Sequence, residues 1–186
     1  MKKNNSNQNF RSIIKNATTS IRSSSHSNNY KPTRYIHHNS HYEILIIKKG
    51  GGMHSIDFKE YPVQDNQVFF LRPGQMHRFS PSADAEFYFV AINQNQIELN
   101  SNILLSQFDF FNSFNSLGYV ILDSVDGLID IVKTLQVQLL DSNKKLDHQD
   151  IVVSSYIVIF LIQIQRCYSE FKSKLKIKNT YSSVVI

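Results

Sequence analysis

The segment "HYEILIIKKGGGMHSIDFKEYPVQDNQVFFLRPGQMHRF" (residues 41–79) decides the fold. YEILIIKK (42–49), MHSIDF (53–58), QVFFLR (67–72) and MHRF (76–79) are short runs rich in β-branched, aliphatic and aromatic residues. Such side chains suit a pleated, half-buried surface. The triple glycine at 50–52 can supply the positive φ angles of a tight reversal. The first two runs are therefore expected to pair as a hairpin. Pro73-Gly74 stops the third run, and EFYFVAI (86–92) is a fifth. Five short strands without helical intervals predict an antiparallel barrel or sandwich.

Beyond residue 100 the periodicity changes. QFDFFNSF (107–114) is apolar without alternation and reads as a loop or single turn packed on the barrel, and YVILD (119–123) as a last strand. In VDGLIDIVKTLQVQLL (125–140), Val125, Leu128, Ile129, Val132, Leu135 and Leu139 form one stripe at helical spacing, with Ser124 as N-cap. A second helix is expected from about His148 to Phe171, capped by Asp147. Its first half is apolar around most of its circumference, so it needs cover on two sides. A second subunit is the simplest source of the second cover. The candidate contacts there are Val152, Tyr156, Ile159, Phe160, Gln163 and Cys167.

Composition narrows the class. The 186 residues are 41% hydrophobic, enough for one packed domain with an appendage. The lone Cys167 excludes an intrachain disulfide and makes the cytoplasm the default compartment. No uninterrupted apolar run reaches the ~18 residues of a membrane span. The net charge of +5 is uneven: residues 1–34 hold seven Lys/Arg and no acid, and the rest is close to neutral. The expected organisation is a flexible basic arm (1–34), a barrel (35–123), a helical dimerisation segment (124–175) and the start of a linker (176–186). A basic arm can touch nucleic acid, but a solvated tail is the commoner case.

The histidines near residue 40 raise the question of a metal. In an extended strand His37, Asn39, His41 and Glu43 share one face. His77, after the Pro-Gly turn, can lie opposite. His37, Glu43 and His77 would make a two-histidine, one-carboxylate set. Pocket wall, structural side chain and metal ligand all remain open for these residues. Arg72 or His37 could partner a buried Glu43. Phe70 and Tyr88 are further pocket candidates, and core the bland alternative.

The stretch resembles the first cupin motif, as His37-x-Asn39-x(3)-Glu43-x(6)-Gly50, with asparagine in place of the second histidine. Gly74-x-x-His77 matches the end of the second motif. It looks closer still to the sensory domain of AraC-family transcription regulators. The matching pieces are Tyr42-Glu43, Gly50-x-Gly52-x-His54-x-Ile56-Asp57-Phe58, Tyr61-Pro62-Val63 and Phe69-Phe70-x-x-Pro73-Gly74-Gln75-x-His77. The turn Asp65-Asn66 lacks the usual glycine, but asparagine tolerates the left-handed region.

The resemblance implies a mainly β fold with an α appendage: a cupin-like antiparallel β-barrel followed by two antiparallel helices. It implies a small-molecule effector, a sugar among the candidates, bound without cofactor or metal, and a homodimer formed through the helices. DNA would be contacted only through a helix-turn-helix domain, for which the residues after Phe171 leave no room. The rival expectations are a metal-dependent cupin enzyme for a small polar substrate and a carbohydrate-binding scaffold.

Overall fold

The computed structural model describes residues 19–24, 40–94, 103–112, 117–141 and 147–182. Eight strands occur among them: β1 (Thr19–Ser24), β2 (Tyr42–Lys49), β3 (Gly52–Ile56), β4 (Lys59–Pro62), β5 (Gln67–Leu71), β6 (His77–Pro81), β7 (Glu86–Ile92) and β8 (Tyr119–Ile121). Two helices follow, α1 (Asp126–Asp141) and α2 (Gln149–Ser182). One sheet runs β1-β7-β2-β5-β8 and the other β4-β3-β6, with every pairing antiparallel. This is the antiparallel barrel with two C-terminal helices that the residue pattern predicts, and the cupin-like fold that the resemblance implies.

The hairpin does not form where the glycines suggested. β2 pairs with β5 and β7, while β3 pairs with β4 and β6. The glycines carry the chain from one sheet to the other. The crossing is tight: Gly51 N–H donates to Val63 O (2.8 Å) and Gly51 O accepts from Ser82 N–H (3.0 Å). A Cβ on Gly50 would lie 2.6 Å from Val63 O. The true hairpin is β3–β4, turned by Asp57 and Phe58 at φ 45° and 68°. Asn66, at φ 55°, adopts the left-handed conformation expected of it.

The larger sheet is covered on both faces, which explains why YEILIIKK is nearly continuous in apolar character. Leu45, Ile47, Phe69, Leu71 and Phe87 face the smaller sheet, together with Ile56, Val63 and Phe79. Ile44, Ile46, Val68, Phe70, Val90 and Ile92 face the opposite way, onto the helices. Phe110 and Phe111, in a 3-10 turn (Asp109–Phe111), join that second core, as the loop reading of 107–114 anticipated. Ile157, Phe160, Leu161, Ile164 and Tyr168 of α2 complete it.

Two boundaries differ from expectation. Thr19–Ser24, within the stretch read as an arm, is an edge strand whose register runs from Thr19↔Ile92 to Ser24↔Phe87. Helix α2 continues past Phe171 to Ser182, into the expected linker. Ser124 does accept the Asp126 N–H at the start of α1 (3.1 Å). Over Gln149–Leu175, α2 has the length and mean apolarity of a membrane span. Its inner stripe nonetheless lies in the protein core.

Candidate functional site

The barrel interior holds two buried histidines and one largely buried carboxylate. Strand parity places them. Glu43 precedes Leu45 and Ile47 on the inward face of β2, His54 lies on β3, and His77 opens β6. Glu43 Oε1 is 2.9 Å from His41 Nε2. Glu43 Oε2 is 3.6 Å from His77 Nε2. His77 Nδ1 in turn is 3.5 Å from His54 Nε2. A polar line thus runs inward from half-exposed His41 to fully buried His54.

The Pro-Gly-Gln-x-His element holds this line in place. Gln75 Oε1 accepts the Arg72 N–H (2.8 Å), closing the turn. Gln75 Nε2 donates to Asp57 Oδ2 (2.7 Å), and Met76 N–H donates to Asp57 Oδ1 (3.0 Å). The β3–β4 turn is thereby tied to the start of β6, and His77 is set opposite Glu43.

The surroundings are aromatic. The His54 ring meets Phe69 edge-on at 4.7 Å and Phe79 at 5.4 Å. Tyr61 and Tyr119, half-buried and 5.6 Å apart, come from edge strands of the two different sheets. Burial, and secondarily the neighbouring His77, lowers the His54 pKa to about 3, so this ring is neutral at ordinary pH. Glu43 Oε2 and His54 Nδ1 are buried without a hydrogen-bond partner.

Several sequence candidates move. Phe70 and Tyr88 lie on the helix-facing side of the larger sheet, one residue out of phase with the interior. Arg72 contributes its backbone to the turn; the Glu43 carboxylate meets His41 and His77 instead. His37 and Asn39 lie outside the described residues. Phe160 is wholly buried in the intrachain core, and Tyr156 packs against it. Cys167 faces a cleft of about 330 Å³ between the β8–α1 connection and α2, bounded also by Leu122, Phe171, Lys174 and Leu175. Ile159 is exposed, with Ile151 and Ile162, while Val152 and Gln163 are half-buried. His54 and the interior aromatics were not singled out as pocket residues. The signal for them was the parity Met53-His54-Ser55-Ile56, in which His54 shares a face with Ile56.

Among the described residues, no group of three or more His, Cys, Asp or Glu is arranged to hold a metal. Glu43 and His77 supply two facing donors.

Residues 20–136 match the family described as AraC-like ligand binding domain. The chain belongs to that family. It is thus an AraC-type ligand-binding domain, which supports the sensory domain of a regulator as its general role. Among solved structures it is similar to apo ToxT from Vibrio cholerae, at 10% identity and TM-score 0.48, covering 83% of this chain and 58% of that one. It is similar to the AraC-like transcriptional activator CuxR, at 12% identity and TM-score 0.38, covering 66% and 42%. A cupin protein from Bacteroides fragilis (BF4112) matches at 20% identity and TM-score 0.32, covering 40% and 64%. The chain therefore spans between 42% and 64% of these proteins' own lengths. No curated protein sequence matches.

Proposed function

We propose that the barrel binds a small-molecule effector and that the helices hold two copies together, so that binding changes how attached DNA-binding units are posed. The observation that carries this reading is the pair of unpartnered buried acceptor or donor atoms, Glu43 Oε2 and His54 Nδ1, inside an aromatic barrel of a ligand-binding family. Buried polar groups without partners are costly. A bound molecule that satisfies them recovers that cost. The family context favours a sensor over an enzyme.

An effector can act only through different affinity for two poses. The N-terminal arm is a candidate for the element that differs. Thr19 and Tyr42 both pair with Ile92, so Thr19, at the start of β1, lies at the end of the sheet where Glu43 lies. On the other side, Ile151, Ile159 and Ile162 leave α2 with an exposed apolar face suited to a second copy. In this reading the protein acts in the cytoplasm, where its DNA target is.

The test is a fusion of residues 1–186 to a helix-turn-helix unit that binds its operator only as a dimer, read by a reporter. Operator occupancy that responds to a small-molecule extract is expected. Occupancy equal to that of the unfused DNA-binding unit would refute the dimerising role, and indifference to every extract would refute the sensing role.

A further inference from the structure

The polar line in the barrel fixes which hydrogen-bonding roles remain for a ligand. A carboxylate offers lone pairs and no proton, so a neutral His77, whose Nε2 faces Glu43 Oε2 at 3.6 Å, carries its proton on that nitrogen. His77 Nδ1 is then a lone pair, and His54 Nε2, 3.5 Å away, donates towards it. His54 is itself neutral and has only that one ring proton. Its Nδ1 is therefore a lone pair as well. Both buried atoms that lack a hydrogen bond, Glu43 Oε2 and His54 Nδ1, are acceptors; His77 Nε2, at 3.6 Å, is too far to satisfy the first.

The rest of the interior sets charge and shape. Among the described residues no lysine or arginine is buried, so an anionic ligand would meet the Glu43 carboxylate with no fixed cation to balance it. Phe69 and Phe79 flank His54, and Tyr61 and Tyr119 stand where the two sheets' edges approach. Such walls suit a flat, largely apolar body, and they favour a cation over an anion.

We propose that the effector is a flat, mainly apolar molecule that presents hydroxyl or amino donors, one to Glu43 Oε2 and one to His54 Nδ1, and bears no carboxylate. This rests on the barrel being the effector site.

Two probes that differ only at one end test it: tyramine and 4-hydroxyphenylacetate. Each is titrated into the whole chain at pH 8, above the ordinary histidine range, with methyl resonances as the readout. Tyramine is expected to shift the methyls of Leu45, Ile47 and Leu71, and to bind about tenfold or more tightly than the carboxylate, as one charge-assisted hydrogen bond gained or lost implies. In Glu43→Gln that preference is expected to shrink to near parity. Barrel-methyl shifts with the carboxylate binding as well as the amine would overturn the donor rule and leave the barrel site standing. Shifts confined to Ile121, Leu122 and Leu175, beside the α2 cleft, would overturn the barrel site itself. No shift from either probe up to its solubility limit would also overturn the proposal. Because the wild-type comparison needs no variant, a Glu43→Gln chain that failed to fold would not rescue it.

Discussion

Replacing Gly52 by alanine isolates the steric demand of the crossing between sheets. Gly52 has φ +90°, and a Cβ there would collide with Ser80 O and come within 2.8 Å of the Pro81 backbone. Holding a non-glycine residue in such a region costs about 1–3 kcal/mol. Relieving the collision means moving β6 or giving up the bond from Val63 N–H to Gly52 O (3.1 Å), worth about 1 kcal/mol. The combined loss is about 2–4 kcal/mol, a large part of the ~5–15 kcal/mol that stabilises a typical domain. For a chain of this size that lowers Tm by about 10 °C. Gly74→Ala is the control: φ is +83°, but nothing lies within 4 Å of the added Cβ. It should lose only the strain, about 1–3 kcal/mol, and so about 1 kcal/mol less than Gly52→Ala. Urea unfolding of both variants gives the comparison. Equal losses would show that β2 and β3 do not cross as closely as described.

Other consequences can be checked on the same protein. His54 takes up a proton below its ordinary 6.5 when unfolded but only near 3 when folded. Its contribution is full above pH 6.5 and declines between those values by about 1.4 kcal/mol per pH unit. His54→Phe should flatten urea stability against pH by that amount, and an unchanged slope would contradict a buried neutral ring. Phe160→Ala should cost about 3–5 kcal/mol by emptying the core, whereas Ile159→Glu should leave the circular-dichroism spectrum unchanged and yield monomers in light scattering. A dimeric Ile159→Glu protein would remove α2's outer face from the interface. Deleting residues 1–18, which spares β1, should alter effector affinity if the arm closes over the barrel mouth; equal affinity ends that idea.

The strands were legible because β-branched and aromatic runs between turn residues have few other uses. Which side of each strand faced inward was not. With apolar layers on both faces of the larger sheet, EILII carries no alternation. Phe69 and Phe70 are equally plausible interior residues until the helices are in place. That ambiguity leaves Phe70 and Tyr88 open between pocket and core in the sequence, and they belong to the helix-facing core. The β3–β4 hairpin was hidden by its turn, since Asp57-Phe58 takes positive φ without glycine, held by Gln75 and Met76 from a distant segment. β1 was illegible for the opposite reason: Thr19–Ser24 contains one large apolar residue, Ile21, in a Ser- and Asn-rich stretch. Glu43 and His77 were readable as lying on opposing strands, whereas Arg72 and His37 were the expected partners of Glu43, and His54 became part of the site only through its register with Phe79 and Tyr61.

The most direct measurement is a thermal-shift screen of small molecules against the whole chain, repeated on variants of the barrel and of the α2 cleft. Compounds that raise Tm in the wild type should lose their effect in Glu43→Gln and His54→Phe and keep it in Cys167→Ser. Compounds that keep their effect in both barrel variants and lose it in Cys167→Ser would contradict the barrel as the effector site.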